Sequence, residues 1–412
     1  MIRTYLIAPI VCCVLATSVL RADSPIRPGD RVAVVGNTFA DQLRIHGYLE
    51  TLLLQHTTDQ PISIRNLGWG GDMLTARDRP TNFPSEASTL TAHRTDVIVA
   101  CFGMGESFAG EAGIDKFKTD LRNFIESHRG QKYNGKSVVR LVLVSPIAYE
   151  DLGDLTPHRE NRNRDLESYT QAMQEVAESE NVPFVDLFES SRYLMDEREG
   201  PNLTNNGILL DEYGYWAISQ SFFDQLFTAA SDNQPWQIRV DVADQTASGI
   251  GVEVADLSVD DSVVAFSIKE NIAPRLPPPT DQTLPPQLEF ARDTMSVENL
   301  GSGSYELTVD GTPVVTATAE QWAKGVAIDS SPAHQEAEAL RAMVNDKNLQ
   351  FTYSWKALNQ VHIVGERRSS PSGRALPGEV IQFNELANEI DKNLVHQVKH
   401  ATRKWRLTRT SK

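Results

Sequence analysis

Four short segments concentrate the residue types that chemistry at a cleft would need. They are Gly36-Asn37-Thr38-Phe39-Ala40-Asp41, Asn66-Leu67-Gly68-Trp69-Gly70-Gly71-Asp72-Met73, Phe102-Gly103-Met104-Gly105-Glu106-Ser107-Phe108, and Thr204 through Trp216. Glycine-dense turns let backbone N–H groups converge on one point, as stabilising a developing oxyanion requires. Any one of them reads equally well as a tight turn; four in this order are more specific. His158, in Leu155-Thr156-Pro157-His158-Arg159, is a candidate base, with a solvent-facing loop histidine as its plain alternative. His46 and His93 fall on expected helices. Asp72 and Glu106 suit an acid/base pair or a divalent cation, but carboxylates at helix starts more often cap, and no third ligand is evident. No Cys or His spacing matches zinc, and Gly68-Trp69-Gly70-Gly71 lacks the Lys-Ser/Thr of a phosphate loop. The sequence therefore calls for no metal and no cofactor. Phe39, Trp69, Phe108, Tyr213, Tyr215 and Trp216 flank the segments. Most should pack the helices that begin there; Trp69, between glycines, is the one to watch as a ligand contact.

These segments must be held by the elements before and after them. Arg31-Val32-Ala33-Val34-Val35, Ile62 to Leu67, Asp96 to Phe102, Val138 to Ser145 and Val182 to Val185 are short β-rich runs. Helical spacing separates them, at Ile45, Leu49, Leu52 and Leu53, at Ile114 to His128, and at Leu166, Tyr169, Met173, Val176 and Ala177. Unbroken apolar strands between helices predict an α/β domain, a doubly wound parallel sheet of five strands. The candidate segments then leave the carboxyl ends of its strands, where such sheets carry their sites. Beyond Ser231 the period changes to two, as in Ile238-Arg239-Val240-Asp241-Val242 and Tyr305-Glu306-Leu307-Thr308-Val309, with a turn at Asp310-Gly311. This predicts a small antiparallel β domain. Helical character returns at Gln335 to Asn345. A last helix is expected to carry Leu386, Ile390, Leu394, Val398, Ala401 and Trp405 on one face and to end in Lys399, Arg403, Lys404, Arg406 and Arg409. The expected division is residues 1–22 as a leader, 23–231 as the α/β domain, 232–331 as the β domain and 332–412 as a helical arm.

Met1-Ile2-Arg3, the apolar run Tyr5 to Leu20 and the junction Leu20-Arg21-Ala22 read as a secretory signal peptide cleaved before Asp23. The run is too short for a stable membrane span. The protein is therefore expected to be exported, to a periplasm or outside the cell. Cys12 and Cys13 would leave with the leader, so Cys101 would be a lone, buried thiol. With 39 Lys and Arg against 55 Asp and Glu, the formal charge is −16, which argues against a nucleic-acid partner.

At the four segments the chain resembles the SGNH, or GDSL-type, hydrolase family, over about residues 30–227. It is also similar to a planctomycete-like branch with an extra C-terminal region. The resemblance implies an ester hydrolase acting on acyl or carbohydrate esters. It places Thr38 of Gly36-Asn37-Thr38 at the nucleophile position, and Gly71 and Gly105 at the two oxyanion positions. Asn206 and Leu209 fall at the block that supplies the base and its orienter. Thr38 keeps a hydroxyl, but Leu209 cannot take a proton and Gly105 has no side-chain donor. The family reading thus implies weak or no activity, a pseudoenzyme. The alternative is a non-catalytic module that binds an envelope glycan or a protein.

Overall fold

The structure is a computed structural model that describes residues 24–57, 60–80, 83–196, 200–227, 234–279, 292–359, 369–394, 396–398 and 400–411. The expected leader and the expected boundary near Ser231 lie outside these residues.

Five parallel strands form the first sheet: β1 (Arg31–Gly36), β2 (Ser63–Asn66), β3 (Val97–Cys101), β4 (Arg140–Val144) and β5 (Phe184–Val185). Their order is β2-β1-β3-β4-β5, so the chain reverses direction across the sheet between β1 and β3. This is the doubly wound topology expected, with its crevice at that switch point. The helices are α1 (Thr38–His46), α2 (Tyr48–His56), α3 (Glu86–His93), α4 (Ile114–His128), α5 (Arg159–Glu180), α6 (Leu187–Met195) and α7 (Glu212–Leu226). Alternate strand residues face opposite ways, and both faces are buried. Val32, Val34, Val97 and Val99 pack with Leu49, Leu52, Trp216 and Phe222 on one side. Ala33, Val35, Ile98 and Ala100 meet Phe117, Leu121, Tyr169 and Met173 on the other.

Two further sheets follow. The first is ordered β13-β10-β6-β7, from β6 (Gln237–Asp241), β7 (Thr246–Ile250), β10 (Thr294–Glu298) and β13 (Val326–Ala327). The second, β12-β11-β14-β9-β8, comprises β8 (Val252–Asp260), β9 (Val263–Glu270), β11 (Ser304–Val309), β12 (Thr312–Thr318) and β14 (Thr402–Ser411). Pairing is antiparallel except between β6 and β10. Asp310 and Gly311 both take positive φ, 50° and 83°, as a two-residue hairpin turn between β11 and β12 demands. Helices α8 (Ala319–Lys324), α9 (Pro332–Trp355) and α10 (Pro371–Leu394) complete the chain. Ser331 sits at the N-cap of α9 with Pro332 in its first turn, where the missing N–H is harmless.

The C-terminal reading needs one correction. The last helix stops at Leu394, and Thr402–Ser411 is a strand inserted between β11 and β9. Arg403, Trp405 and Leu407 are buried while Lys404 and Arg406 are exposed, the alternation of a sheet and not a helical stripe. On α10 itself Leu394 and Ala387 are buried and Leu386 is exposed. Arg403 is no surface patch: it donates to Glu270 (2.7 Å) and Glu336 (2.7 Å), whereas Lys399 lies outside the described residues. Helices α9 and α10 instead cover edge strand β2, where Lys347 donates to the Ile64 carbonyl (3.0 Å) and Arg65 donates to Asn388 (2.8 Å) and pairs with Asp391 (2.6 Å). An edge strand left bare would be a template for aggregation.

Candidate active site

The crevice is built from the turns after β1, β2 and β3. β1 ends at Gly36 with φ of +133°, opposite Cys101 of β3, and a Cβ there would run into the Cys101 carbonyl. Only glycine allows the chain to turn so close to its neighbour. Asn37 then caps α1 by accepting from Phe39 N–H (3.0 Å), so Thr38 becomes the first residue of the helix. Its hydroxyl sits among the unpaired amides and positive dipole of a helix start, which favours negative charge on oxygen.

After β2 the chain passes over α1. Asn66 donates to the Ala40 carbonyl (2.6 Å) and accepts from Gly68 N–H (2.9 Å), and a Cβ on Gly68 would strike the backbone of Ala40 and Asp41. This close approach brings Gly71 N–H to Thr38 Oγ1, to which it donates at 3.2 Å. Thr38 and Gly71, the residues expected at the nucleophile and first oxyanion positions, are therefore adjacent. Gly68→Ala should push the loop off α1 and lower stability by about 1–3 kcal/mol, read as a drop in thermal midpoint; an unchanged melt would contradict the close packing.

The other two positions are arranged differently. A Cβ on Gly105 would lie 2.7 Å from Met73 Cγ and 2.8 Å from Met73 Sδ, so a methionine occupies the space where a side-chain donor would stand. Asn206 accepts from the backbone N–H groups of Ile208 (3.2 Å) and Leu209 (2.9 Å), and so closes a local turn instead of facing a base. Leu209 is 41% exposed. The turn is tied down by Glu150, which accepts from Leu203 N–H (2.8 Å), Thr204 N–H (2.7 Å) and the Thr204 hydroxyl. Burial raises the Glu150 pKa above the usual carboxylate range.

No imidazole among the described residues hydrogen-bonds to the Thr38 hydroxyl. His158 is exposed at the N-cap position of α5. His46 lies at the far end of α1, about 12 Å along the axis from Thr38, and stacks on Tyr215. His93 is buried between Ser63 and Thr95. Asp72 is held by Arg79 (2.7 and 2.5 Å), and Glu106 accepts from Leu74 N–H (2.8 Å) and Gly103 N–H (2.9 Å), tying the second loop to the third. The described residues contain no cluster of three or more potential metal ligands.

The family model of GDSL-like lipases and acylhydrolases matches residues 29–217. The α/β domain belongs to that family. The GDSL-type domain is similar to an acetylxylan esterase from Geobacillus stearothermophilus, at 14% identity and a TM-score of 0.37, covering 49% of this chain and 96% of that one. The whole chain is similar to a gut microbial diltiazem-metabolizing enzyme, at 16% identity and a TM-score of 0.70, covering 94% of this chain and 99% of that one. The shared fold thus includes the β sheets and the C-terminal helices. A comparison with curated proteins gives no match.

Three contributors to the site of this GDSL-type domain escaped the sequence reading: Met73, Glu150 and the end of α9. Trp69 packs edge-on against Trp355 (5.6 Å) and Phe83 (5.7 Å), with Arg79 over its face. Lys356 lies 5.1 Å from the same ring and donates to Asp41 of α1 (2.7 Å). The packing that glycine neighbours could not give Trp69 comes from nearly 300 residues downstream. Glu150 was not singled out, although an acid just past the fourth strand is a signal that could have found it; Met73 and Trp355 carried no signal of their own.

Proposed function

We propose that the protein is an exported GDSL-type protein descended from ester hydrolases of acyl or carbohydrate esters, with weak or no turnover of its own. One observation carries this reading: the Thr38 hydroxyl accepts from Gly71 N–H and has no imidazole partner among the described residues. The Gly71 amide and the α1 N-terminus can still polarise a bound carbonyl, but nothing at position 209 can take the proton that attack releases. The native chain should hydrolyse 4-nitrophenyl acetate no faster than Thr38→Ala. Robust turnover that disappears in Thr38→Ala would overturn the reading, and His158 would be the first residue to test as a base. Export predicts a mature N-terminus at Asp23 by mass spectrometry of secreted protein; recovery of Met1 to Ala22 would refute it. Among the described residues no helix is long and apolar enough to cross a membrane.

A second reading is a binding module that keeps the cleft for a glycan or protein. It is favoured by Phe108, which stands 70% exposed on the third loop with the Arg162 guanidinium 3.9 Å from its ring centre. A ring with a guanidinium on one face and its other face exposed suits ligand stacking. Saturable binding without turnover, lost in Phe108→Ala, is the result that would favour it.

A further inference from the structure

Helices α3, α9 and α10 line a half-open cavity of about 390 Å³, on the far side of Trp355 from Trp69 of the crevice loop. That volume lies in the range of small-molecule sites. None of Thr38, Gly71, Gly105, Asn206 or Leu209 lines it. Its walls are largely apolar, with Phe351 and Trp355 from α9 and Val380 and Ile381 from α10.

Two observations define what it would hold. The first is charge. Arg31 and Arg65 are among the lining residues and no Asp or Glu is, in a chain whose net charge is −16. Arg65 is buried against Asp391 (2.6 Å), but no carboxylate among the described residues pairs with the Arg31 guanidinium, which donates to the His93 carbonyl (3.3 Å). The His93 ring, also in the wall, is held well below the ordinary imidazole range by burial and by the charges of Arg65, Arg31 and Lys347. It stays neutral. The second is shape. Phe351 and Trp355 are buried while Ile381 stands 60% exposed, so the cavity has an apolar floor and an open side. Such a floor suits a flat hydrophobic body.

We propose that this cavity binds a small organic anion with a compact apolar body, such as an aryl-substituted carboxylate. The anionic group pairs with Arg31, and the body lies against Phe351, Trp355 and Ile381. The site is independent of the ester chemistry proposed above.

Isothermal titration of the mature protein with 4-phenylbutyrate tests this directly. One saturable site is expected, with Kd below about 1 mM. The neutral 4-phenylbutyramide should bind about tenfold more weakly, as should the carboxylate to Arg31→Gln. Ile381→Asp, which places a like charge in the wall, should abolish binding. Arg31 and Ile381 have exposed side chains, so both variants should keep the fold, as unchanged circular dichroism would verify. Thr38→Ala should titrate like the native protein. No saturable binding up to about 5 mM would overturn the proposal. Binding that survives both Arg31→Gln and Ile381→Asp, or that is lost in Thr38→Ala, would do so too.

Discussion

A variant carrying Thr38→Ser, Met73→Ala, Gly105→Asn, Asn206→Asp and Leu209→His should hydrolyse 4-nitrophenyl acetate at least about 100-fold faster than the native chain. The size follows from what the native crevice lacks. Removing one oxyanion donor from a working hydrolase costs roughly 10²–10³ in rate, and losing the triad base costs on the order of 10⁴–10⁶. These losses are not additive, because the groups act as a unit, so restoring either alone should achieve little. Met73→Ala is included on geometric grounds. The asparagine Cβ would meet Met73 Cγ at 2.7 Å, so the version that keeps Met73 should gain less. Asn206→Asp must also give up the turn that Asn206 closes with Ile208 and Leu209, although a carboxylate can accept from the same two amides. If the new histidine is the base, the rate should rise with pH as its imidazole loses a proton, near about pH 6.5. A folded variant with no gain over native protein would mean that the crevice no longer has the shape its residues imply.

The parallel sheet was legible because β1, β3 and β4 are nearly unbroken apolar runs, and both of their faces are buried. The positions after β1 and β2 were legible because close backbone approach demands glycine or a cap at Gly36, Asn37 and Gly68. The C-terminal strand was misread for a physical reason. Leu394, Val398, Ala401 and Trp405 fall at helical spacing, yet Arg403, Trp405 and Leu407 also alternate. A short segment with both periods is settled by its partners, here β9 and β11, more than 90 residues away in sequence. Site contacts made at long range share this opacity. Trp69 looked unsupported until the end of α9 supplied Trp355 and the residue after it, Lys356, and Lys347 is one lysine among many until its surroundings are known.

Lys347→Met should lower the unfolding free energy by about 3–5 kcal/mol. Lys347 is fully buried on α9, and its ammonium pairs with the Glu50 carboxylate of α2 while donating to the Ile64 carbonyl (3.0 Å). Asn348 donates to the other Glu50 oxygen (2.9 Å). Asp391 of α10 stands 3.8 Å from the same ammonium and also accepts from Ser63 Oγ (2.8 Å), so the cluster joins both C-terminal helices to β2. Methionine fills a similar volume, so little of the loss should come from a cavity. It comes from leaving Glu50 charged and buried with only an amide for company. The double variant Lys347→Met/Glu50→Leu should therefore recover most of the stability, because a buried ion pair exchanged whole for apolar side chains is often nearly neutral. Urea unfolding followed by tryptophan fluorescence reads both variants. In Lys347→Met the emission should also shift to the red before the main transition, as α9 loosens and Trp355 separates from Trp69. A single variant within about 1 kcal/mol of native, or a double variant no better than the single, would show that the pair does not hold the C-terminal helices in place.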